Sequence, residues 1–282
     1  MRRLALLLLL VAAPATAQRL DPKRVAPNQE ELRFSTPSPL SSLEAQKERL
    51  GLDAEPEDGP DLSRTAFRVY LPKRFSEKRT YGLFVWNSPM DIGTLPTAWE
   101  KVFDTLKLIA IGPDDVGHDS PVARRIGLLL DAAHNATQRW SIDPERVYVG
   151  GFSEGARVPA LLALNYPEVF RGGLYIGGVH WYRPVPRIDG GEGFWRGELP
   201  APNAERLTLA KERSRHAFLI GEKDPVFTQT DAVYRLAKSD GFAHLLWLPI
   251  PRVGHATPKR KYIQRCFEFL DGKDDKSKSS KD

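Results

Sequence analysis

The 282-residue sequence predicts an α/β fold, with a mostly parallel central sheet covered by helices on both faces. First, short apolar runs of strand length alternate with segments of helical spacing from Ala66 to Leu270, an order typical of βαβ units. Second, a serine flanked by glycines stands between one such run and the next helical segment. Because ligands bind beyond the carboxyl ends of parallel strands, functional residues are expected in the loops at that edge.

The apolar patterns set the elements in order. Strands are expected at Ala66–Leu71, Tyr81–Trp86, Leu106–Ile111, Val147–Gly150, Gly173–Ile176, Ala217–Ile220 and Leu245–Leu248. Helices are expected at Val122–Trp140, Ala156–Asn165, Asp231–Lys238 and around Ile263–Leu270. The first of these helices has apolar side chains at Ile126, Leu129, Leu130 and Ala133, the spacing of one helical face.

The N-terminus has the pattern of a secretory signal peptide over residues 1–17. Arg2 and Arg3 form a positive region, and the apolar run Leu4–Ala13 is short for a membrane span. Ala15–Ala17 then provides a small-residue cleavage site. The sequence therefore predicts export to the periplasm or the extracellular medium, without membrane insertion after cleavage; a short N-terminal anchor is the alternative.

The remaining chain divides by composition. Residues 18–60 are rich in Pro, Ser, Glu and Asp, which predicts a poorly ordered, extended lead-in with at most a short helix over Leu40–Leu50. Residues 61–271 form the predicted domain, and a Pro- and Gly-interrupted stretch at 178–213 is expected to be a lid-like insertion. Residues 272–282 are a low-complexity tail, predicted to be disordered.

Charge and cysteine content exclude several classes of function. The formal net charge is +5, but without the N-terminal arginines and the lysine-rich tail about +2 remains, too little to indicate nucleic-acid binding. No cluster of His, Cys, Asp and Glu has metal-ligand spacing, so neither a metal nor another cofactor is predicted. Cys266 is the one cysteine, which excludes an intrachain disulfide, and its apolar helical neighbours indicate a buried structural thiol.

Ser153 is the candidate nucleophile. It lies in Gly151–Gly155, which matches G-x-S-x-G between the strand Val147–Gly150 and the helix Ala156–Asn165. A very tight turn there would expose the hydroxyl, and the glycines would avoid clashes within the turn. An ordinary glycine-flanked turn is the alternative, but the order of strand, motif and helix favours a catalytic serine.

A serine nucleophile requires a base and a carboxylate that orients the base. His255 follows the strand Leu245–Leu248 in a loop and is the candidate base, with His180 as its competitor. Asp224 follows the strand Ala217–Ile220 within G-E-K-D-P and is the candidate acid. The weaker acid candidates are Asp189, Glu222 and Asp231. A surface-loop histidine and a turn aspartate before proline are the structural alternatives.

The oxyanion hole and the substrate pocket have further candidates. The Glu154 backbone N–H follows the nucleophile, and a second donor is expected from Asn87 or Ser88 after the strand Tyr81–Trp86. Aromatic residues of the insertion could line an acyl or aryl pocket or anchor the insertion to the core. The candidate substrate-binding residues are Trp86, His180, Trp181 and Trp195.

Residues 141–155, SIDPERVYVGGFSEG, resemble the nucleophile turn of α/β-hydrolase esterases, in particular the polyhydroxyalkanoate depolymerase and feruloyl-esterase-like branch. The order of elements is similar from about Phe67 to Leu270. The resemblance implies the α/β-hydrolase fold, with Ser153 as nucleophile, Asp224 as acid and His255 as base.

The sequence departs from this family after the second predicted strand, where Trp86-Asn87-Ser88-Pro89 replaces an H-G or related glycine-rich segment. The predicted function is hydrolysis of small or polymeric esters through an acyl-enzyme. Two alternatives stay open: a serine peptidase of the same fold, and a catalytically silent binding protein, which the departure favours. The sequence makes no prediction of oligomeric state.

Overall fold

The computed structural model describes residues 28–195 and 200–273. The predicted signal peptide (1–17) and most of the predicted tail lie outside these residues. The strands are β1 Glu30–Leu32, β2 Phe67–Tyr70, β3 Tyr81–Asn87, β4 Leu108–Pro113, β5 Ile142–Phe152, β6 Gly172–Ile176, β7 Val185–Pro186, β8 Phe194–Trp195, β9 Arg215–Gly221 and β10 His244–Ile250. The α-helices are α1 Leu43–Leu50, α2 Glu100–Leu106, α3 Val122–Arg139, α4 Arg157–Asn165, α5 Ala204–Glu212, α6 Phe227–Ser239 and α7 Arg260–Leu270. Short 3₁₀ turns occur at Pro56–Asp58, Thr97–Trp99 and Ser153–Ala156.

Eight strands form one sheet in the order β1-β2-β4-β3-β5-β6-β9-β10. Strand β2 is antiparallel to β1 and β4, and every other neighbouring pair in this sheet is parallel. Strands β7 and β8 form a separate antiparallel pair. The predicted mostly parallel sheet is therefore confirmed, and β5 lies near its centre, so that the residue after β5 stands in the middle of the carboxyl edge.

Alternate side chains of β3 enter different cores, which is why helices cover both faces of the sheet. Leu83 and Val85 pack in a cluster that contains apolar residues of α3 and α4. Phe84 and Trp86 pack on the other side, in a cluster that contains apolar residues of α2 and α7, including Cys266. The prediction that Cys266 is buried is confirmed.

One predicted boundary is wrong. Leu106 was expected to begin a strand, but it is the last residue of α2, and β4 begins at Leu108. Lys107 between them has a φ of 54°, the left-handed conformation that ends helices. Val102, Phe103 and Leu106 have helical spacing and are buried, so the apolar run LKLIAI belongs to two elements.

The prediction of a poorly ordered, extended lead-in is wrong for residues 28–60. Strand β1 pairs with β2, and Leu50 at the end of α1 is buried in the core. The Gln29 side-chain amide exchanges two hydrogen bonds with the backbone of Leu95, at 2.8 and 3.0 Å. The buried Asp131 accepts a 2.7 Å hydrogen bond from the Ser38 N–H. Polar contacts thus act together with apolar side chains such as Phe34, which packs on Phe67, in holding this segment.

The predicted insertion at 178–213 contains the β7–β8 pair and α5 in its described part.

Within residues 28–195 and 200–273, no helix combines the length and the hydropathy needed to cross a membrane. In the same residues, no group of three or more His, Cys, Asp and Glu side chains has an arrangement that could hold a metal ion.

Candidate active site

The turn after β5 exposes Ser153 in a strained conformation. Ser153 has a φ of 56°, in the left-handed region that side chains other than glycine rarely adopt. Such strain persists only where the surrounding structure enforces it, and it is concentrated at functional sites. The chain continues through the 3₁₀ turn Ser153–Ala156 into α4, the strand–turn–helix order expected for a nucleophile.

The glycines on each side of Ser153 are required by close backbone packing. A Cβ on Gly151 would lie well inside the van der Waals radius of the Gly155 carbonyl oxygen. A Cβ on Gly155 would overlap the Asn87 carbonyl oxygen and lie 2.9 Å from the Pro89 nitrogen. The G-x-S-x-G spacing therefore allows the end of β5, the serine turn and the end of β3 to pack together.

The structure brings Ser153, His255 and Asp224 into one hydrogen-bonded series. The Ser153 Oγ lies 2.8 Å from the His255 Nε2. The His255 Nδ1 lies 2.7 Å from the Asp224 Oδ2. The weaker acid candidates pair with arginine side chains or a backbone N–H elsewhere.

The loops after β9 and β10 hold the acid and the histidine at one edge. The Lys223 N–H donates to the Val253 carbonyl at 2.8 Å, which joins the two loops directly. The Asp224 Oδ1 accepts from the Val226 N–H at 3.0 Å, and this turn leads into α6 at Phe227. The Asp224 side chain is only 2% exposed, so it is fixed on one side by the turn and on the other by His255.

The surroundings of His255 favour its charged form. Its hydrogen bond to Asp224 raises the pKa of His255 above its ordinary value, with partial burial acting in the opposite direction and the charge of Glu154 adding to the increase. The Phe152 ring stacks on the imidazole with centroids 4.9 Å apart. Since Nδ1 faces the carboxylate, it carries the proton and leaves Nε2 free to accept one from Ser153.

The candidate oxyanion donors surround the serine turn. Glu154 follows Ser153 and lines the cavity described below. Asn87 is fully buried, and its Nδ2 donates to the Gly155 carbonyl at 2.8 Å, which ties the end of β3 to the turn. The Ser88 Oγ accepts from the Met90 N–H at 3.0 Å. The choice between the Asn87 and Ser88 backbone N–H as second donor stays a prediction.

A small cavity of about 50 Å³ opens beside Ser153. Its lining combines the serine turn, the start of α4, the loop after β6 and the first turn of α6; the residues are Ser153, Glu154, Arg157, Gly177, Gly178, Val179, His180, Val226, Gln229, Thr230 and His255. Burial, together with the nearby Arg157 and Arg125, lowers the pKa of His180 to about 4. His180 is therefore neutral at physiological pH.

The structure contradicts the predicted pocket roles of Trp86 and Trp181. Trp86 is buried against Trp99, with ring centroids 5.3 Å apart. Trp181 is fully buried and packs on Phe242 at 5.2 Å, so it anchors the insertion to the core. Trp195 lies in β8, with the Arg187 guanidinium over its ring.

Of the predicted substrate-binding residues, the lining of this cavity in the described chain includes His180 and none of the three tryptophans. Aromatic side chains serve cores and pockets equally well, so residue type alone did not separate the two destinations.

Two arginines at the serine turn were missed by the sequence analysis. Arg157, the first residue of α4, pairs its Nη2 with the Glu154 Oε1 at 2.6 Å. Arg125 of α3 is 5% exposed, and its Nη2 donates to the Glu154 carbonyl at 2.8 Å. His118 lies with its Nδ1 3.7 Å from the Glu154 Oε2. The available signals were the position of Arg157 just after the motif and the single charge of Arg125 on an apolar helical face.

Short segments of two curated proteins are similar to this chain. Acetylxylan esterase of Coprinopsis cinerea is 38% identical over 51 residues, which cover 18% of this chain and 14% of that protein. Poly(3-hydroxyalkanoate) depolymerase C of Paucimonas lemoignei is 39% identical over 66 residues, which cover 23% and 15%. The matched region thus spans about a seventh of the length of each relative. No protein-family model matches the chain.

Solved structures show the same fold. The ferulic acid esterase of Anaeromyces mucronatus, solved with ferulic acid, superposes with a TM-score of 0.51 at 15% identity and covers 73% of this chain and 86% of its own. The chain has the α/β-hydrolase fold, as predicted. The resemblance to this branch is also confirmed by the short segment that matches the depolymerase; the ferulic acid esterase shares the fold.

Proposed function

We propose that this chain hydrolyses carboxylic esters through an acyl-enzyme on Ser153. The observation that carries the proposal is the series of hydrogen bonds from Ser153 through His255 to Asp224, at 2.8 and 2.7 Å, on a serine with strained backbone. Each member has the partner that its role in acyl transfer requires. Similarity to two esterases, though confined to short segments, supports the ester as the bond that is cleaved.

In the proposed reaction, His255 Nε2 accepts the Ser153 proton as the Oγ attacks the ester carbonyl. The carbonyl π electrons move onto oxygen, and the Glu154 N–H with that of Asn87 or Ser88 stabilises this oxyanion. Collapse of the intermediate breaks the bond to the alcohol oxygen, which takes the proton from His255. Water then attacks the acyl-enzyme with the same base, releases the acid and restores the Ser153 hydroxyl.

The size of the cavity favours a short acyl group. A volume of about 50 Å³ holds a few water-sized groups, which suits an acetyl group better than a long alkyl or an aryl chain. Of the aromatic residues predicted to line a pocket, Trp86 and Trp181 are buried in the core and Trp195 lies in β8. We therefore assign the chain short-chain esters, such as acetyl esters, rather than long-chain esters.

Export is part of the proposal and rests on the sequence of residues 1–17, with its positive start, apolar run and small-residue site. Expression of the full chain in a bacterium should yield periplasmic or secreted protein that begins near Gln18. Retention in the cytoplasm, or an intact N-terminus in the membrane fraction, would contradict it.

The experiment that tests the function is hydrolysis of 4-nitrophenyl esters from acetate to long acyl chains and ferulate. We expect activity that is highest for acetate and that falls by about 10⁴-fold or more in Ser153→Ala. Ser63→Ala, at an exposed turn serine, is the matched control and should retain activity. Folded protein without activity on any ester would refute the proposal, and peptide hydrolysis or none at all would then separate a peptidase from a silent binding protein.

A further inference from the structure

We propose that this site selects esters that carry a carboxylate close to the scissile bond, with Arg157 as the residue that binds the carboxylate. The inference rests on the proposed ester hydrolysis and adds a substrate class to it. It starts from the charges beside Ser153, which the proposed reaction does not use.

Two guanidinium groups lie at the serine turn. The guanidinium groups of Arg125 and Arg157 both contact Glu154, the first through the backbone carbonyl and the second through the carboxylate. Burial lowers the pKa of Arg125; the charge of Glu154 acts in the opposite direction, and the charge of Arg157 adds to the decrease. The other acid of the site, Asp224, is bonded to His255. The Glu154 carboxylate thus pairs with Arg157, while the hydrogen bond from Arg125 goes to the Glu154 backbone carbonyl.

The positive charge of Arg125 is buried and only partly hydrogen-bonded. Arg125 is 5% exposed, and its Nε has no hydrogen-bond acceptor among the residues described. A buried charge is costly unless it is paired, so an anion brought next to this cluster gains more than it would at an exposed arginine. His180 is neutral and adds no charge, so the electrostatic attraction of an anion comes from Arg125 and Arg157.

Arg157 is the member of the pair that a substrate can reach. It lines the same cavity as Ser153 and His255, and 38% of its side chain is exposed. One terminal nitrogen contacts Glu154, while a guanidinium has five N–H donors in a planar fork. The remaining donors match the two oxygens of a carboxylate.

Gln229 extends this surface on the first turn of α6. It lines the same cavity as Ser153 and Arg157. The amide NH₂ of Gln229 can donate hydrogen bonds to a carboxylate, whereas an alkyl group offers no acceptor. The N–H donors of Arg157 and Gln229 thus both suit an anionic group on the substrate.

The test compares two pairs of substrates that differ only in charge. Monoethyl succinate and ethyl succinamate place the charge on the acyl side, with release of ethanol as the readout. O-acetylglycolate and O-acetylglycolamide place it on the alcohol side, with release of acetate as the readout. In wild-type protein we expect kcat/KM to be about tenfold higher for the anionic member of one pair, mainly through a lower KM.

Variants of the chain decide whether Arg157 is responsible. Arg157→Gln should reduce the anionic-to-neutral ratio to about one or below, because Glu154 then repels the anion, and Arg157→Lys should restore part of it. Arg235→Gln, at an exposed arginine of α6 paired with Asp231, is the control and should keep the wild-type ratio.

The outcomes separate this inference from the proposed function. Ser153-dependent hydrolysis with ratios near one in both pairs, or a ratio that survives Arg157→Gln, would overturn the carboxylate site and leave ester hydrolysis standing. If folded protein hydrolyses none of these four esters and also fails to hydrolyse 4-nitrophenyl acetate, the proposed function itself is refuted, and the carboxylate site with it.

Discussion

Replacement of Asp224 by Asn tests the tautomer on which the proposed reaction depends. The Asp224 Oδ2 accepts from the His255 Nδ1 at 2.7 Å, while Oδ1 is held by the Val226 N–H at 3.0 Å. In Asp224→Asn, the carbonyl oxygen would keep the bond to Val226, and the amide NH₂ would face Nδ1. The imidazole then takes the tautomer with its proton on Nε2, which points at Ser153 and cannot accept a proton.

The expected loss in kcat is about 10⁴-fold, the cost of a wrong histidine tautomer in such a series. The assay is steady-state hydrolysis of 4-nitrophenyl acetate near pH 8, with the unfolding midpoint in urea measured to show that the variant is folded. Asp231→Asn is the matched control, since Asp231 lies on α6 and pairs with Arg235. A loss in kcat of less than about tenfold in folded Asp224→Asn would refute the reasoning about the tautomer.

Three further predictions concern pH, backbone packing and the core. Because Asp224 raises the pKa of His255 above 6.5 and the base acts in its neutral form, kcat/KM should fall as the pH drops through a value above 6.5; a pH profile with its acid limb below that value would contradict this. Gly155→Ala should lower kcat/KM by about 10²-fold or more, since the new Cβ displaces Asn87 by overlap with its carbonyl oxygen, and full activity in this variant would contradict the packing argument. Trp181→Ala should lower the free energy of unfolding in urea by about 3–5 kcal/mol, because the side chain is fully buried; unchanged stability with an altered ester preference would instead indicate a pocket role.

The sequence was informative where a local pattern has one physical cause. Gly151, Ser153 and Gly155 follow a strand and open a helix, and the structure shows that a Cβ at either glycine would collide with backbone. Asp224 and His255 follow parallel strands, whose carboxyl ends must lie at one edge of the sheet, and the two side chains are in fact hydrogen-bonded.

Other features depend on contacts between distant residues and could not be predicted from local patterns. The lead-in forms hydrogen bonds from the Ser38 N–H to Asp131 and from the Gln29 side chain to the Leu95 carbonyl, and no periodicity in the sequence indicates these pairs. An aromatic ring suits a core and a pocket alike. Whether Trp181 is buried in the core therefore depends on the tertiary packing of its loop, which the local sequence does not indicate. Arg125 was missed because it reaches the serine turn from another helix, whereas the position of Arg157 directly after the motif was a local signal.

Covalent labelling of Ser153 by a fluorophosphonate tests the central claim most directly. The hydrogen bond from Ser153 to His255 predicts rapid labelling of the folded protein, with the adduct mapped by mass spectrometry to the peptide that contains Ser153. Ser153→Ala should lose the label, and His255→Ala should slow it severely. A folded wild-type protein that stays unlabelled, or that is labelled equally at other serines, would contradict the account of Ser153 as an activated nucleophile.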